Sequence, residues 1–168
     1  LELIRKQTEK QIDISRIDFE DQNVYNDIQN ADTIGVFQIE SAAQMQTVTR
    51  IKPRNLTEMA WEVSAVRPGV GVNDGVSMLI RRHTGKETNW KYDHPLEETA
   101  LRRTLGVPLY QDQLGELAIH VAGMSAIEGD QMRRAFTRRK NERHIDRWKS
   151  KFIKGAISRG VPLNTAKK

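Results

Sequence analysis

The sequence contains no cysteine among its 168 residues. This absence excludes disulfide frameworks, thiolate metal sites and cysteine nucleophiles. No apolar run approaches the roughly 20 residues that a helix needs to cross a bilayer, and the first residues, LELIRKQTEK, lack the basic-then-apolar order of a signal peptide. We therefore expect no membrane segment and a cytoplasmic location.

The sequence also lacks an evident catalytic group or metal site. Phosphoryl-type transfer with two magnesium ions requires Asp or Glu side chains that hold the ions about 4 Å apart. The densest acidic cluster, residues 18–21, directly precedes a predicted helix, where helix capping and compensation of the helix dipole explain it. The four histidines lie far apart in the sequence and show no metal-ligand spacing. We expect no catalytic residue and no metal ligand in this chain.

Charge is unevenly distributed along the chain. Residues 131–168 contain 13 of the 27 Lys and Arg but only two acidic residues, so this segment has a net charge of +11, whereas residues 1–130 have −6. A basic segment of this kind indicates a polyanion-binding surface, and a solvated or disordered basic tail is the alternative. We expect one domain over residues 1–168, with an acidic helical body followed by a basic helical segment.

Capping residues, prolines and glycines divide the chain into short helices and predict a mainly α fold, an irregular multi-helix domain with short extended pieces. The predicted helices cover residues 22–30, 42–51, 55–66, 75–83, 95–106, 111–122, a segment that begins at the capping box 125–128 and includes 132–134, and 142–159. Apolar residues of the last helix recur on one face, which predicts their burial: Ile145, Trp148, Phe152 and Ile153. Basic residues of that helix are expected to face solvent: Arg143, Arg147, Lys151 and Lys154.

Basic residues recur at helical spacing in this C-terminal segment. Arg133 and Arg134 lie 100° apart around a helix, so these neighbours can hold different oxygens of one polyphosphate. The planar fork and permanent charge of arginine suit that task. Further basic residues follow: Arg138, Arg139, Lys140, Arg143, Arg147 and Lys151. A phosphate-binding site and a nonspecific basic face both fit this pattern.

A second candidate is the turn Arg67-Pro68-Gly69-Val70-Gly71. Proline and two glycines allow the backbone to approach a ligand closely. The turn is not a Walker motif, because no Gly-Lys-Ser/Thr follows it. A plain turn between helices is the alternative.

Four motifs, in this order along the chain, resemble the alpha subunit of bacterial DNA polymerase III. They are DTIGVFQIES at residues 32–41, AVRPG at 65–69, LYQDQ at 109–113 and DQMRRAF at 130–136. Each motif is weak alone, but four in series at compatible spacing make a specific signal. The resemblance covers residues 18–160 and extends, through GVPLY at 106–110, to the error-prone branch of the same C family.

The resemblance implies a mainly helical fingers domain that closes over the incoming deoxynucleoside triphosphate and the templating base. It implies that Arg133 and Arg134 match the family's paired arginines, which are directed at the triphosphate. Arg67 and Lys140 are further candidates for nucleotide binding. The motif positions expected at the template or nucleotide pocket are Tyr110, Gln111, Gln113 and Gln38. The basic residues expected on DNA phosphates are Arg138, Arg139 and Arg143.

In the family, the aspartates that bind Mg²⁺ belong to the palm, and all of them would precede Leu1. The resemblance therefore implies a fragment of a DNA-directed DNA polymerase that is inactive alone and whose Mg²⁺ ligands lie outside this chain. The implied partners are the nucleotide, template-primer DNA, other domains of the polymerase and replisome subunits. The alternative is a non-enzymatic nucleic-acid-binding module that uses the basic C-terminal helices.

Overall fold

A computed structural model of the chain describes residues 1–66, 75–138 and 142–168, apart from the side chains of Arg138 and Glu142. Its α-helices are α1 (Glu2–Thr8), α2 (Gln22–Gln29), α3 (Ala42–Ile51), α4 (Leu56–Ala65), α5 (Gly75–His83), α6 (Glu98–Leu101), α7 (Gln111–His120), α8 (Ala126–Arg138), α9 (Glu142–Ser158) and α10 (Leu163–Lys167). Single 3₁₀ turns lie at Ile14–Arg16, Pro95–Glu97 and Arg102–Thr104. The described residues contain no β-strand. The mainly α prediction is confirmed.

The chain divides into two compact units, Leu1–Ala60 and Trp61–Lys168, and the division falls inside α4. The change of net charge at residue 131 lies within α8, so the basic segment begins in the middle of a helix. One domain over residues 1–168 stays a prediction. No helix in the described part of the chain is both long and apolar enough to cross a membrane.

In the first unit, side-chain caps fix the starts of α2 and α3. The Asp21 carboxylate accepts a hydrogen bond at 2.9 Å from the backbone N–H two residues later, and Ser41 and Gln44 form a reciprocal capping box at α3. Tyr25 is buried on α2, and its hydroxyl donates to the Phe19 carbonyl at 2.6 Å. Both predicted helix starts are confirmed because each depends on local hydrogen bonds.

The segment 95–106 departs from its prediction as one helix. Two 3₁₀ turns flank α6, which has a single turn. The buried Thr104 hydroxyl donates to the Leu101 carbonyl at 3.2 Å, and such side-chain bonds compete with regular helical pairing. Leu105 and Gly106 then take left-handed conformations, with φ of 52° and 78°, which end the segment.

In the second unit, one hydrophobic cluster joins the C-terminal part of α4 to α5 and to the segment 107–110. Its buried members are Trp61, Leu79, Val107 and Leu109. The Trp61 indole N–H donates to the Arg103 carbonyl at 3.1 Å, so the indole is anchored at its polar end as well as packed. This cluster supports the chain that enters α7.

Helices α7, α8 and α9 approach one another closely at glycines. A Cβ atom on Gly129 of α8 would lie 3.0 Å from the carbonyl oxygen of Gly115 on α7. A Cβ atom on Gly155 of α9 would overlap the carbonyl oxygen of Ala122, just after α7. Glycine permits the approach at Gly155, and a Cβ atom at Gly129 would require a small shift of α7. The α9 prediction is also confirmed, because its four apolar residues are partly buried and its four basic residues are exposed.

Candidate phosphate-binding site

Helix α8 begins with the predicted capping box. The backbone N–H of Ser125 donates to the Glu128 carboxylate at 3.0 Å, and the Glu128 N–H donates to the Ser125 hydroxyl at 3.3 Å. Lys151 on α9 also pairs with Glu128, and its hydrogen bond, together with those from Ser125, lowers the pKa of Glu128 to about 2. The capping carboxylate is therefore engaged by α9 as well as by the helix start.

Arg133 and Arg134 share a carboxylate one turn earlier on α8. Asp130 Oδ1 accepts hydrogen bonds from Arg133 Nε at 3.1 Å and from its terminal nitrogen Nη2 at 2.7 Å. Asp130 Oδ2 forms an ion pair with Arg134 Nε at 2.7 Å. The hydrogen bonds from Arg133 and the positive charges of both arginines hold the pKa of Asp130 below its usual range. The three side chains form one charged cluster, here called the Asp130 cluster.

The Asp130 cluster is fixed on its inner side and open on its outer side. Between the acid and the arginines, Met132 is only 2% exposed and packs with Ala118 and Met124. The side chains of Arg133 and Arg134 remain 28% and 61% exposed. Because one carboxylate faces two guanidinium groups, the cluster keeps a net positive charge and can bind an anion.

The sequence points to Arg133 and Arg134 but does not reveal the role of Asp130. Asp130 is the fifth residue of α8, beyond the first turn. Its spacing of three and four residues from the two arginines is the signal that could have identified it, since side chains at this spacing meet on a helix surface.

Gln113 is fully buried, with 0% exposure. Both the oxygen and the nitrogen of its side-chain amide form hydrogen bonds within the chain. Its oxygen accepts from the backbone N–H groups of Leu109 and Tyr110, both at 2.8 Å. Its nitrogen donates to the Ala100 carbonyl at 3.1 Å and to the Thr104 hydroxyl at 2.7 Å. These four bonds satisfy a primary amide completely, so in this structure Gln113 holds the segment before α7.

The neighbouring motif residues are more accessible. Tyr110 is partly buried, and burial raises the pKa of its hydroxyl. The Arg103 guanidinium lies 5.1 Å from the centre of its ring and pairs with Asp112 at 2.6 Å. Gln111 is exposed at the first turn of α7. Contacts of Tyr110 and Gln111 with a template or nucleotide stay predictions.

The remaining candidates are distributed over the chain. Gln38 is exposed in the first unit, in a left-handed conformation with φ of 67°. Arg143 is exposed at the start of α9. Three predicted residues, together with the side chain of a fourth, lie outside the described parts of the chain: Arg67, Arg139, Lys140 and, for the side chain, Arg138. The described structure brings Arg133 and Arg134 together.

Glu62 on α4 is a second feature that the sequence does not reveal. It is 0% exposed, and neither carboxylate oxygen has a hydrogen-bond partner among the described residues. Burial raises its pKa to about 7, because a charged carboxylate loses its hydration there. In residues 1–66, 75–138 and 142–168, no three His, Asp or Glu side chains are grouped closely enough to hold a metal ion.

The family model of the bacterial DNA polymerase III alpha subunit finger domain matches residues 1–160. The chain belongs to this finger-domain family. The finger domain is similar to an error-prone DNA polymerase of Mycolicibacterium paratuberculosis, with 42% identity over 155 residues, which are 92% of this chain and 14% of that protein. An error-prone DNA polymerase of Idiomarina loihiensis is 38% identical over 170 residues, which cover 100% of this chain and 16% of that protein.

The finger domain thus spans only about a seventh of the length of these relatives, 14% and 16% in the two examples. The polymerase activity in the names of these relatives belongs to proteins several times longer than this chain. The predicted family is confirmed, and the described residues of the domain offer a cationic cluster on α8.

Proposed function

We propose that the finger domain binds the incoming deoxynucleoside triphosphate for a DNA-directed DNA polymerase, with Arg133 and Arg134 as ligands of its phosphates. The observation that supports this most directly is the Asp130 cluster. It presents two neighbouring guanidinium groups on a packed helix, and both remain partly exposed. Arginine forks bind phosphate oxygens through paired, charge-assisted hydrogen bonds.

In the proposed reaction, the primer 3′ hydroxyl releases its proton to water and attacks the α phosphorus, and the bond from that phosphorus to the leaving pyrophosphate breaks. Negative charge then increases on the pyrophosphate oxygens. Arg133 and Arg134 stabilise this charge and hold the nucleotide in line, which is the main way that proteins assist such transfers. Mg²⁺ would contribute further charge stabilisation, and we propose that its ligands lie outside this chain.

The proposal also includes the finer assignments that follow from the family. The nucleotide site would include Arg67 and Lys140, and the DNA phosphate contacts would be Arg138, Arg139 and Arg143. Tyr110 and Gln111 would contact the template or nucleotide, and Gln38 of the first unit is a further candidate for such a contact. Gln113, whose amide is fully bonded within the chain, would hold the segment that carries Tyr110. The relatives named error-prone DNA polymerase favour that branch for the parent enzyme. We further propose that it acts in the cytoplasm on template-primer DNA with replisome subunits, and that the isolated finger domain does not extend a primer.

The decisive experiment measures nucleotide kinetics and DNA binding in the full polymerase that carries this domain. Arg133→Ala and Arg134→Ala should each lower kcat/KM for the nucleotide by about a hundredfold, in line with the loss of a charge-stabilising donor. The dissociation constant for primer-template DNA should change by less than about threefold, because phosphate contacts on a duplex are many and each contributes little.

Arg147→Ala is the matched control, because it removes one positive charge from an exposed residue of α9. It should leave nucleotide kinetics within about twofold of the parent, as exposed charges away from a site have small effects. Unchanged nucleotide kinetics in both Arg133→Ala and Arg134→Ala would contradict the proposal.

A further inference from the structure

Asp130 contacts its two arginines in a way that leaves part of each guanidinium group available. One carboxylate oxygen engages Nε and Nη2 of Arg133, and the other engages Nε of Arg134. Arginine has five N–H groups. Nη1 of Arg133 and both terminal nitrogens of Arg134 therefore keep N–H groups that have no partner among the described residues.

Glu87 offers an internal comparison, because it also pairs with two neighbouring arginines. Its carboxylate bonds Arg81 Nε at 3.2 Å and Arg82 Nε at 3.0 Å. There, however, Arg82 Nη1 donates to the Leu105 carbonyl at 2.6 Å, and its guanidinium lies 4.5 Å from the centre of the Trp90 ring. In the Glu87 cluster the fold thus closes Arg82, whose side chain is 10% exposed, although Arg81 stays 47% exposed. In the Asp130 cluster both arginines keep terminal N–H groups without a partner among the described residues.

We propose that Asp130 is a positioning residue, which holds the Nε edges of Arg133 and Arg134 so that their terminal N–H groups face the triphosphate. This inference rests on the proposed function of the two arginines. A free arginine side chain loses rotamer entropy when it binds, which weakens binding. Prior fixation by Asp130 removes part of that cost from the binding step, which is the general advantage of a preorganised site.

A competing role, in which Asp130 blocks the arginines until nucleotide displaces it, fits the contacts less well. Such a carboxylate would occupy most of the terminal N–H groups. Asp130 contacts one terminal nitrogen, Nη2 of Arg133, and both Nε atoms, and the other terminal nitrogens have no partner in the described parts of the chain. Its position one helical turn before both arginines also places it beneath their Nε edges. The nearby Glu128 cannot replace it, because Glu128 is engaged by Ser125 and Lys151.

The test replaces Asp130 in the full polymerase and separates KM from kcat. Asp130→Asn keeps the size of the side chain but removes its charge. It should raise KM for the nucleotide about tenfold while kcat changes less than about threefold, because the arginines still bind but are no longer fixed beforehand. Asp130→Glu can still reach both arginines at helical spacing and should keep KM within about threefold of the parent.

Coupling to the arginines distinguishes positioning from a general structural effect. In an Arg133→Ala, Arg134→Ala background, Asp130→Asn should raise KM by less than about twofold, since its targets are gone. Glu87→Gln breaks the comparable cluster and should leave KM unchanged in the parent background. Thermal melting of each variant reports whether the fold is retained.

An unchanged or lowered KM in Asp130→Asn would overturn the inference, and so would the full tenfold effect in the double-alanine background. The proposed function fails separately. If Arg133→Ala and Arg134→Ala leave nucleotide kinetics unchanged, the arginines do not bind the triphosphate. If those two variants impair nucleotide use while Asp130→Asn does not, only the positioning role of Asp130 is lost.

Discussion

At the scale of single residues, the buried carboxyl group of Glu62 makes stability depend on pH. Its pKa is raised by burial from 4.5 to about 7 in the folded state. Below pH 4.5 the group is protonated in both states, so its burial carries no charge penalty. As pH rises from 4.5 to about 7, the unfolded state releases the proton first, and the free energy of unfolding falls.

Glu62→Gln should remove this dependence, because glutamine is neutral at every pH in the window. Above pH 7 we expect the free energy of unfolding of the variant to exceed that of the parent by on the order of 3 kcal/mol. The variant should therefore unfold at a higher urea concentration. The gain should shrink as pH falls towards 4.5. Urea unfolding of the chain at several pH values measures it. Glu98→Gln, at an exposed position, is the control. If the free energy of unfolding of Glu62→Gln and of the parent changes with pH in parallel, Glu62 is not the cause of the pH dependence.

The sequence predicts some residues of the candidate site and not others for a physical reason. Arg133 and Arg134 could be found because their charge and spacing are visible in the sequence. The bonds of Gln113 could not, because its partners at Ala100 and Thr104 come from a separate segment. A motif glutamine looks the same whether its amide faces a ligand or a backbone. Glu62 was equally hidden, since burial of a glutamate depends on packing around α4.

At the scale of helices, Gly155 decides how closely α9 approaches the end of α7. Alanine at this position would gain helix propensity, about 1 kcal/mol over glycine in an exposed helix. Its Cβ atom, however, would overlap the backbone carbonyl oxygen of Ala122, which cannot turn aside as a flexible side chain can. We therefore expect Gly155→Ala to destabilise the chain, because overpacking typically costs about 1–3 kcal/mol.

Urea unfolding of Gly155→Ala, compared with Lys154→Ala, measures this effect. Lys154 is exposed on the same helix, so its replacement tests helix propensity without the close contact. The changes in the free energy of unfolding caused by the two substitutions should differ in sign, or in size by at least about 1 kcal/mol. Equal stabilities would show that α9 can shift away from Ala122 without cost.

Helix ends follow from the sequence where the deciding bonds are local. Asp21 and Ser41 cap helices with N–H groups two or three residues away, so their patterns are sufficient. The segment 95–106 fails as one predicted helix because the buried Thr104 hydroxyl bonds the Leu101 carbonyl and also accepts from Gln113. The approach of α7 to α8 at Gly115 and Gly129 is likewise a long-range property, which single-sequence patterns do not contain.

At the scale of the whole molecule, ion pairs reduce the positive charge that the basic segment presents to DNA phosphates. Residues 131–168 contain 13 basic residues, but several lie in ion pairs with carboxylates: Arg133 and Arg134 with Asp130, Lys151 with Glu128, and Lys168 with Asp93. Paired cations have less charge to offer to phosphates, so the net charge of the segment overstates its affinity for a polyanion. The proposed site for one small, highly charged ligand is compatible with this arrangement.

We therefore expect the isolated chain to bind primer-template DNA weakly and with a shallow dependence on salt. For a duplex, log affinity falls by about 0.9 per phosphate neutralised for each decade of salt. The finger-domain proposal predicts a slope of magnitude below about 4, whereas a binding module that used most of its basic segment would approach 10. Fluorescence anisotropy with labelled primer-template between about 50 and 200 mM salt measures the slope.

Two double variants identify the source of whatever DNA binding remains. Arg143→Ala with Arg147→Ala removes two exposed charges of α9 and should lower the slope by about 2 if both contact phosphates. Arg133→Ala with Arg134→Ala should change it less, because Asp130 already neutralises part of that charge. A steep slope that both variants reduce equally would favour the nucleic-acid-binding module. A shallow slope of the isolated chain would favour a triphosphate site if, in the full polymerase, nucleotide use is impaired by Arg133→Ala with Arg134→Ala and not by Arg143→Ala with Arg147→Ala. The loss of two charges would then affect nucleotide binding and DNA binding differently at the two positions.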